Sequence, residues 1–400
     1  MIRTVLKYLA LVVLGIIVFL GANYLDDNPR VDISAPQPEQ TLAWQETAET
    51  AEAAETTEAD IPEATDAAEP ETTELAQTET APAGTAPEET EPGQQRFVLT
   101  LVGDCTLGGD PSFAHADRGF TPVVGEDYGY PFRNVLAQFE QDDFTLLNLE
   151  CAMTDTGYPM GEIYSFRASE SYVNILTENS VECVSLANNH TKDYGNTGYR
   201  RTRSVLETAG VPYVERDASR IITLDSGLTI GLYGAVYYDL NTTRIRREIT
   251  ALKDSGADVV IFVAHWGFEG NYKPRQQEIK LAHAAIDAGA DIVYGTHPHV
   301  LQPVETYGDG VIFYSLANCC FGGNIYPKDM DTAMIRVEIL REEDGSVRLG
   351  EWTAIPCSVS SEEDWNNYQP TPYAEGSEGY ERVMSKLSGT WKIDHLNISK

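Results

Sequence analysis

Residues 97–104 read FVLTLVGD, an apolar run that ends in a glycine and an aspartate. A run this short and this apolar is typical of a buried β-strand, with Asp104 at its carboxyl end. Similar apolar runs follow at 144–147, 181–186, 259–263, 292–294 and 311–316. Amphipathic helical patterns lie between several of them, at 131–141, 169–179, 198–209, 244–255 and 274–288. Apolar strands that alternate with amphipathic helices predict an α/β fold.

Four further segments alternate apolar and polar residues, as half-buried strands do. They span 221–224, 228–233, 334–340 and 347–352. The turn-forming residues at 225–227 (Asp-Ser-Gly) and 344–346 (Asp-Gly-Ser) join them in pairs and predict two hairpins. The mixture of both strand types predicts two sheets that pack face to face, with helices outside.

Polar side chains with metal-binding chemistry follow the apolar runs. These strand exits carry Asp104, Glu150, Asn189, His190, His265, His297, His299 and Asn318. Open α/β sheets gather ligand-binding groups at the carboxyl ends of their strands. One histidine at such a position is more often structural, but here four of the seven histidines in the chain stand at strand exits. Imidazole and carboxylate donors together suit Zn²⁺, Mn²⁺ or Fe.

The pair His297 and His299 is separated by one proline. In an extended chain, residues i and i+2 point to the same side. We therefore expect both rings to share one metal or to bridge a pair.

The charge of the chain is unevenly distributed. The whole sequence has 62 acidic and 28 basic residues, a net charge of −34. Residues 31–95 contain 17 acidic residues and no lysine or arginine. Such a Thr/Glu/Ala/Pro-rich segment predicts a disordered acidic linker, and we favour a passive spacer over a dedicated binding tail. Outside this segment 45 acidic residues still outnumber 28 basic ones, which argues against nucleic-acid binding.

Residues 1–30 carry Arg3 and Lys7, followed by a wholly apolar segment at 9–21. The apolar stretch approaches the ~20 residues that a membrane-spanning helix needs. A cleaved secretory signal and an uncleaved signal anchor both fit, and the poor cleavage site favours the anchor. We therefore expect a single-pass protein of the cell membrane, with the C-terminal part extracellular. Its domains would be the anchor at 1–30, the linker at 31–95, a globular domain at 96–357 and an extension at 358–400.

Seven motifs occur in one order between residues 97 and 356. They are VGDCTLGGD (102–110), LLNLECAMTD (146–155), FRA (166–168), SLANNHTKDYG (185–195), VAHWGFEG (263–270), AGADIVYGTHPHVLQPVE (288–305) and IFYSLANCCFGG (312–323). Together they resemble the bacterial capsule-synthesis CapA/PgsA family, a branch of the calcineurin-like metallophosphoesterase superfamily. The resemblance implies a four-layer α/β/β/α sandwich with metals at the carboxyl ends of the strands. It also implies a role in poly-γ-glutamate synthesis, export or anchoring, beside membrane synthase subunits.

The resemblance assigns roles to individual residues. It implies one or two divalent cations (Mn, Zn or Fe) with the ligands Asp104, Glu150, Asn189, His265, His297 and His299. Glu150 stands where the superfamily usually bridges two metals with an aspartate. His190 resembles the proton donor to the leaving group, and Asp193 is placed to orient it.

The sequence departs from the superfamily pattern at Thr106, where the usual Asp-x-His motif has its histidine, so one metal position loses an imidazole. Arg167, Glu269 and Asn318 are candidates for substrate binding. Arg167 could grip a carboxylate or phosphate or form a structural ion pair. Glu269 could be an extra ligand or base, or the ion-pair partner of Arg275 or Lys273.

Cys319 and Cys320 follow Asn318, and buried thiols are a better reading there than a thiolate ligand. The six cysteines are scattered without a CxxC motif, and their spacing decides no disulfide.

Three functions fit these residues. The first is a membrane-tethered, metal-dependent hydrolase of phosphoester or amide bonds. The second is a CapA-like accessory protein of capsule synthesis, and the third is a degenerate fold that only binds polymer. The complete set of candidate ligands argues against the third, whereas Thr106 argues against assuming ordinary phosphatase chemistry. The CapA-like function names the process best, and whether the chain turns over a substrate stays open.

Overall fold

The computed structural model describes residues 93–161 and 163–392 of the chain. Its strands are β1 (Gln95–Cys105), β2 (Phe144–Leu149), β3 (Ala152–Met153), β4 (Arg167–Ala168), β5 (Cys183–Leu186), β6 (Tyr213–Glu215), β7 (Ala218–Thr223), β8 (Thr229–Val236), β9 (Val259–His265), β10 (Ile292–Thr296), β11 (Val304–Tyr307), β12 (Gly310–Phe313), β13 (Asp331–Arg341), β14 (Val347–Ser358) and β15 (Thr371–Pro372). Its helices are α1 (Phe120–Val124), α2 (Leu136–Phe139), α3 (Val173–Thr177), α4 (Gly195–Ala209), α5 (Thr242–Asp254), α6 (Gln276–Ile286) and α7 (Glu378–Leu387). The predicted apolar strands and both predicted hairpins are present.

Two mixed sheets organise these strands, except β3 and β4, which pair with each other in a separate two-stranded sheet. The first has seven strands in the order β15-β14-β13-β1-β2-β5-β6, and β1, β2, β5 and β6 run parallel. The second has six strands in the order β11-β12-β10-β9-β8-β7, with parallel β8, β9, β10 and β12. Parallel neighbours place their carboxyl ends at the same edge of each sheet, so the polar residues that follow them are brought together.

The sheets pack face to face and carry helices on their outer faces. β9 shows the arrangement, because side chains alternate between the two faces of a strand. Ile261 joins a core shared with Leu101 of β1, whereas Phe262 packs outward with Ile249 of α5 and Leu281 of α6. A third core lies between the first sheet and helices α3 and α4. This layering confirms the predicted mixed α/β class.

The helix predicted at 131–141 is mostly wrong. Only the short α2 forms there, and the preceding segment folds as successive turns. The backbone amide of Val135 donates to the carbonyl of Phe132, and the amide of Arg133 to that of Tyr130. Such i to i+3 bonds are those of consecutive β-turns. The apolar spacing reflects burial of Phe132, Val135 and Phe139.

The C-terminal segment adds to the first sheet. β15 pairs with β14, and α7 packs against β13 and β14. The buried ammonium of Lys386 in α7 contacts Asp329 at 2.6 Å and Asp331 at 2.8 Å. Ion pairs thus hold α7 beside the start of β13.

The predicted anchor at 1–30 and nearly all of the predicted linker lie outside the described residues. Among the residues that are described, none of the helices has the length and apolarity needed to cross a membrane.

Candidate metal centre

Asp104 stands at the carboxyl end of β1 and is completely buried. Its backbone bridges to Asn318, because the amide of Cys319 donates to the Asp104 carbonyl at 2.8 Å. One carboxylate oxygen, Oδ1, accepts from Asn148 Nδ2 at 2.9 Å. The other, Oδ2, lies 3.1 Å from His299 Nδ1. The first strand therefore delivers an oriented, buried carboxylate to the centre of the sheet edge.

Glu150 follows β2 and is also completely buried. Asn148 Nδ2 donates to its Oε2 at 3.2 Å, while its Oε1 has no hydrogen-bond partner. That free oxygen lies 3.8 Å from His265 Nε2 and 3.7 Å from His299 Nε2. Burial, followed by the charge of Asp104, raises the pKa of Glu150 well above its ordinary value. A cation beside the two carboxylates would offset this cost.

His265 ends β9 and is fully buried. Its Nδ1 lies 2.9 Å from Thr296 Oγ1, and its Nε2 lies 2.6 Å from Asn189 Oδ1. Burial, and then the nearby His297 and His299, hold its pKa well below the ordinary value. A neutral imidazole whose Nδ1 is fixed by a neighbour is the form in which histidine binds metals.

His297 and His299 follow β10 in a conformation that the sequence did not predict. Their φ angles are 98° and 55°, so the backbone is left-handed and not extended. Residues other than glycine rarely adopt such angles, and functional sites are where they concentrate. The two rings lie 5.8 Å apart. They converge because the chain turns sharply, and not because of i, i+2 alternation.

Two overlapping sets of donor atoms could each hold a cation. Glu150, His297 and His299 form one set, and Asp104, Glu150 and His265 form the other; within each set the atoms lie within 4.8 Å of one another. Glu150 belongs to both. Among the residues of these sets, two buried side-chain atoms lack any hydrogen bond within the described structure, Glu150 Oε1 and His297 Nδ1. Buried polar atoms normally have partners, so these orphans fit a bound cation. Burial, followed by the neighbouring His299, lowers the pKa of His297 to about 4, which leaves its ring neutral and able to bind metal.

His190 and Asp193 form a pair at the start of α4. His190 Nδ1 lies 2.7 Å from Asp193 Oδ2, which also accepts the backbone amide of Phe166 at 2.7 Å. The Phe166 ring packs on His190, with 4.4 Å between ring centroids. The pair is thus oriented on two sides, with the side chain of His190 about 13% exposed.

Asn189 is held beside His265 by a turn that Asn188 builds. The Asn188 side chain donates to Asn148 Oδ1 at 3.0 Å and to the Leu149 carbonyl at 2.9 Å. It also accepts the amides of His190 and Thr191. This one side chain therefore fixes the exit of β5 against the exit of β2.

The three candidates for substrate binding lie in different settings. Asn318 Oδ1 lies 2.9 Å from His299 Nδ1, so it contacts the metal centre directly. Glu269 is exposed, and its charge contributes to the raised pKa of Glu150 and His299. Of the two partners predicted for it, Arg275 pairs with Glu278 instead. Arg167 lies over the Tyr194 ring at 5.2 Å, and within the described residues it has no ion pair.

Thr106 and the paired cysteines serve the surrounding loops. Thr106 Oγ1 donates to the Gly108 carbonyl at 2.9 Å and accepts the Gly322 amide at 2.7 Å. Cys319 and Cys320 are buried thiols, as favoured, and neither belongs to a donor set.

Sequence reasoning missed Asn148, Asn188 and Thr296, which orient the candidate ligands. The available signal was position: Asn148 and Asn188 stand at strand exits, two residues before Glu150 and His190. Their bracing role depends on which exits become neighbours, and only the sheet order reveals this.

Comparisons with known proteins find relatives named for capsule or PGA biosynthesis. A capsule biosynthesis protein CapA from Bacillus anthracis is 28% identical over 275 residues, which cover 61% of this chain and 64% of that protein. The PGA biosynthesis protein CapA from Bacillus subtilis (strain 168) is 29% identical over 323 residues, covering 74% of this chain and 80% of that protein. The chain thus spans slightly less than two thirds of the length of the first relative.

Among solved structures, a purple acid phosphatase from yellow lupin (Lupinus luteus) seeds aligns with 10% identity and a TM-score of 0.30, over 65% of this chain and 53% of the phosphatase. A TM-score this low supports no conclusion about fold or function. The family comparison is decisive, because the model of the bacterial capsule synthesis protein PGA_cap family matches residues 98–323 and so includes every candidate ligand. This chain belongs to the bacterial capsule synthesis protein PGA_cap family.

Proposed function

We propose that this protein takes part in the synthesis, export or anchoring of capsular poly-γ-glutamate and that it does so through a metal-dependent, hydrolase-type site. The family and the names of the two CapA relatives support the process. The apolar segment at 9–21 and the acidic stretch at 31–95 support a membrane tether that holds the globular part outside the cell. Membrane synthase subunits are the proposed partners.

The observation that carries the proposal is the convergence of buried carboxylates and imidazoles in two sets that share Glu150. The residues that would hold one or two divalent cations are Asp104, Glu150, Asn189, His265, His297 and His299. A divalent cation held there would supply Lewis acidity, which polarises a carbonyl or phosphoryl oxygen. The donors suit Mn, Zn or Fe.

Side chains of the protein itself would supply the proton for the leaving group and orient the histidine that carries it. The side chain of His190 is partly exposed, and the Asp193 carboxylate lies at its Nδ1. A proton on Nδ1 is held by Asp193, which leaves Nε2 to exchange a proton with a leaving group. The stack of Tyr164 on Phe166, whose rings are 6.4 Å apart, covers one side of this histidine.

Two alternatives use the same site. The chain could act on another phosphoester or amide of the cell envelope, or it could bind polymer without turnover. Incubation of the protein with poly-γ-glutamate and with a generic phosphodiester separates them. Shortening of poly-γ-glutamate supports the proposal, and cleavage of the phosphodiester alone supports the first alternative. Cleavage of neither, together with loss of capsule on deletion, supports an accessory role without turnover.

The metal site itself is tested by metal analysis of the purified full chain. We expect the unmutated protein to retain Mn, Zn or Fe after dialysis, and the double variant His297→Ala/His299→Ala to lose it, because two donors of one set are removed. His283→Ala is the matched control, since His283 lies away from the centre, stacked on Tyr307 at 3.7 Å. The proposal is wrong if the unmutated protein retains none of the three metals.

A further inference from the structure

A cavity of about 320 Å³ opens beside the metal centre. Its lining includes Asn189, Lys192, Tyr199, Arg216, Tyr238 and Asp239. Asn189 belongs to both places, because its Oδ1 lies 2.6 Å from His265 Nε2. The cavity and the metal centre are therefore neighbours that share Asn189.

Two tyrosines that follow β8 continue the connection. Tyr237 stacks on His297 with 5.5 Å between ring centroids, and the Tyr237 and Tyr238 rings lie 3.9 Å apart. The Tyr238 ring in turn lies 4.6 Å from the guanidinium of Arg216. A continuous series of ring contacts thus runs from the candidate ligand His297 to the guanidinium of Arg216 in the cavity.

The charges of the cavity leave one lysine uncompensated. Asp239 pairs with Arg216, and Asp217, which also lines the cavity, pairs with Arg244. Lys192 is exposed, and its ammonium lies 5.0 Å from the centre of the Tyr199 ring. Within the described part of the chain, no carboxylate lies within ion-pair distance of it. Lys192 can therefore accept an anionic group without giving up another partner.

Lys192 is also well placed for a substrate at the centre. It lies two residues after His190 and immediately before Asp193, on the same turn that positions this pair. An anionic group held at Lys192 would therefore lie in the cavity that Asn189, the neighbour of His190, also lines. The rest of the domain is net acidic, so such local cations would determine where an anionic ligand can bind.

We propose that this cavity is an anion subsite in which Lys192 binds a carboxylate or phosphate group of the substrate, assisted by the guanidinium N–H groups of Arg216 other than the Nε–H that donates to Asp239, next to the group held at the metal centre. The inference rests on the proposed function, because it assumes that substrate reaches that centre. It assigns the choice of an anionic substrate to two side chains that are not metal ligands.

The test is calorimetric titration of the full chain, saturated with Mn²⁺, with a pentamer of γ-linked glutamate, inorganic tripolyphosphate or a neutral pentamer of γ-linked glutamine. We expect Lys192→Gln and Arg216→Gln each to weaken binding of an anionic probe by about three- to fivefold, as loss of an exposed ionic contact does. Lys192→Arg keeps the charge and should bind normally. Lys280→Gln is the matched control, because Lys280 is exposed on α6.

The two anionic probes identify the source of the anion. If the variants bind the glutamate pentamer more weakly than the unmutated protein does, the subsite is assigned to carboxylates. If only their binding of tripolyphosphate is weaker, it is assigned to phosphates. The inference is overturned if Lys192→Gln binds both probes as tightly as the unmutated protein, or if the unmutated protein binds neither more tightly than the glutamine pentamer. Metal content is measured on the same samples, so a failure of the metal site is seen separately from a failure of the subsite.

Discussion

At the scale of single residues, the centre depends on Asn148. Its Nδ2 donates to Asp104 and Glu150, and its Oδ1 accepts from Asn188 at 3.0 Å. We expect Asn148→Ala to destabilise the metal-free protein by about 2–3 kcal/mol, because it leaves buried polar groups without partners. Added Mn²⁺ should recover part of this loss by binding the released carboxylates. Urea unfolding with and without Mn²⁺ measures both effects.

Asn179→Ala provides the matched control for that experiment. Asn179 is also buried, and its Nδ2 donates to the carbonyls of Tyr128 and Ile175, outside the metal centre. Its loss should destabilise the protein equally with and without Mn²⁺. If Mn²⁺ leaves the deficit of Asn148→Ala unchanged, Asn148 does not brace a metal site.

At the scale of elements, the amino ends of β2 and β5 carry two carboxyls with raised pKa values. Burial raises the pKa of Asp142 to about 6 and that of Glu182 to about 7. Thr145 donates to both, from its backbone amide to Glu182 at 2.8 Å and from its hydroxyl to Asp142 at 2.7 Å. The folded protein therefore holds these protons more tightly than the unfolded chain does.

This difference makes stability depend on pH. The contribution of Glu182 is fully present below its unfolded pKa of about 4.3 and is lost as the pH rises to about 7. As the pH rises, we expect the free energy of unfolding to fall by on the order of 1–2 kcal/mol less in Glu182→Gln than in the unmutated protein, after allowance for the partial exposure of Glu182. Urea unfolding at several pH values between 4.5 and 7.5 measures it. Glu178 is exposed, so Glu178→Gln should leave the dependence of the unfolding free energy on pH unchanged. The prediction is wrong if Glu182→Gln shows the same dependence on pH as the unmutated protein.

The strands and the site differ in how far the sequence predicts them. β9 and β10 are buried on both faces, so their apolar runs are continuous and stand out. β6 has only three residues and left no periodic signal. The strand exits also located the candidate ligands. The left-handed backbone at His297 and His299 could not be read from the sequence, because the surrounding structure imposes it on residues that locally disfavour it.

At the scale of the whole molecule, the net charge of −34 belongs to two different parts of the chain. Half of it falls on residues 31–95, and the rest belongs mainly to the part that carries the centre. A polyanionic substrate would be repelled at long range by this field and held only where cations are concentrated. Added salt should therefore affect capture of an anionic polymer in opposite ways, by screening the general repulsion and by weakening contacts such as that of Lys192.

The final prediction concerns the separation of tether and globular part. The two sheets and the three cores are formed by residues after position 93. We therefore expect a chain that begins at residue 93 to unfold within about 2 °C of the full chain, because it keeps every described residue of these sheets and cores. The full chain should sediment with membranes, whereas a chain beginning at residue 31 should not, if the segment at 9–21 is the anchor. Scanning calorimetry and membrane fractionation measure the two effects independently. A drop of 10 °C on truncation would show that the first 92 residues stabilise the globular part, and membrane association of the chain beginning at residue 31 would locate the anchor elsewhere.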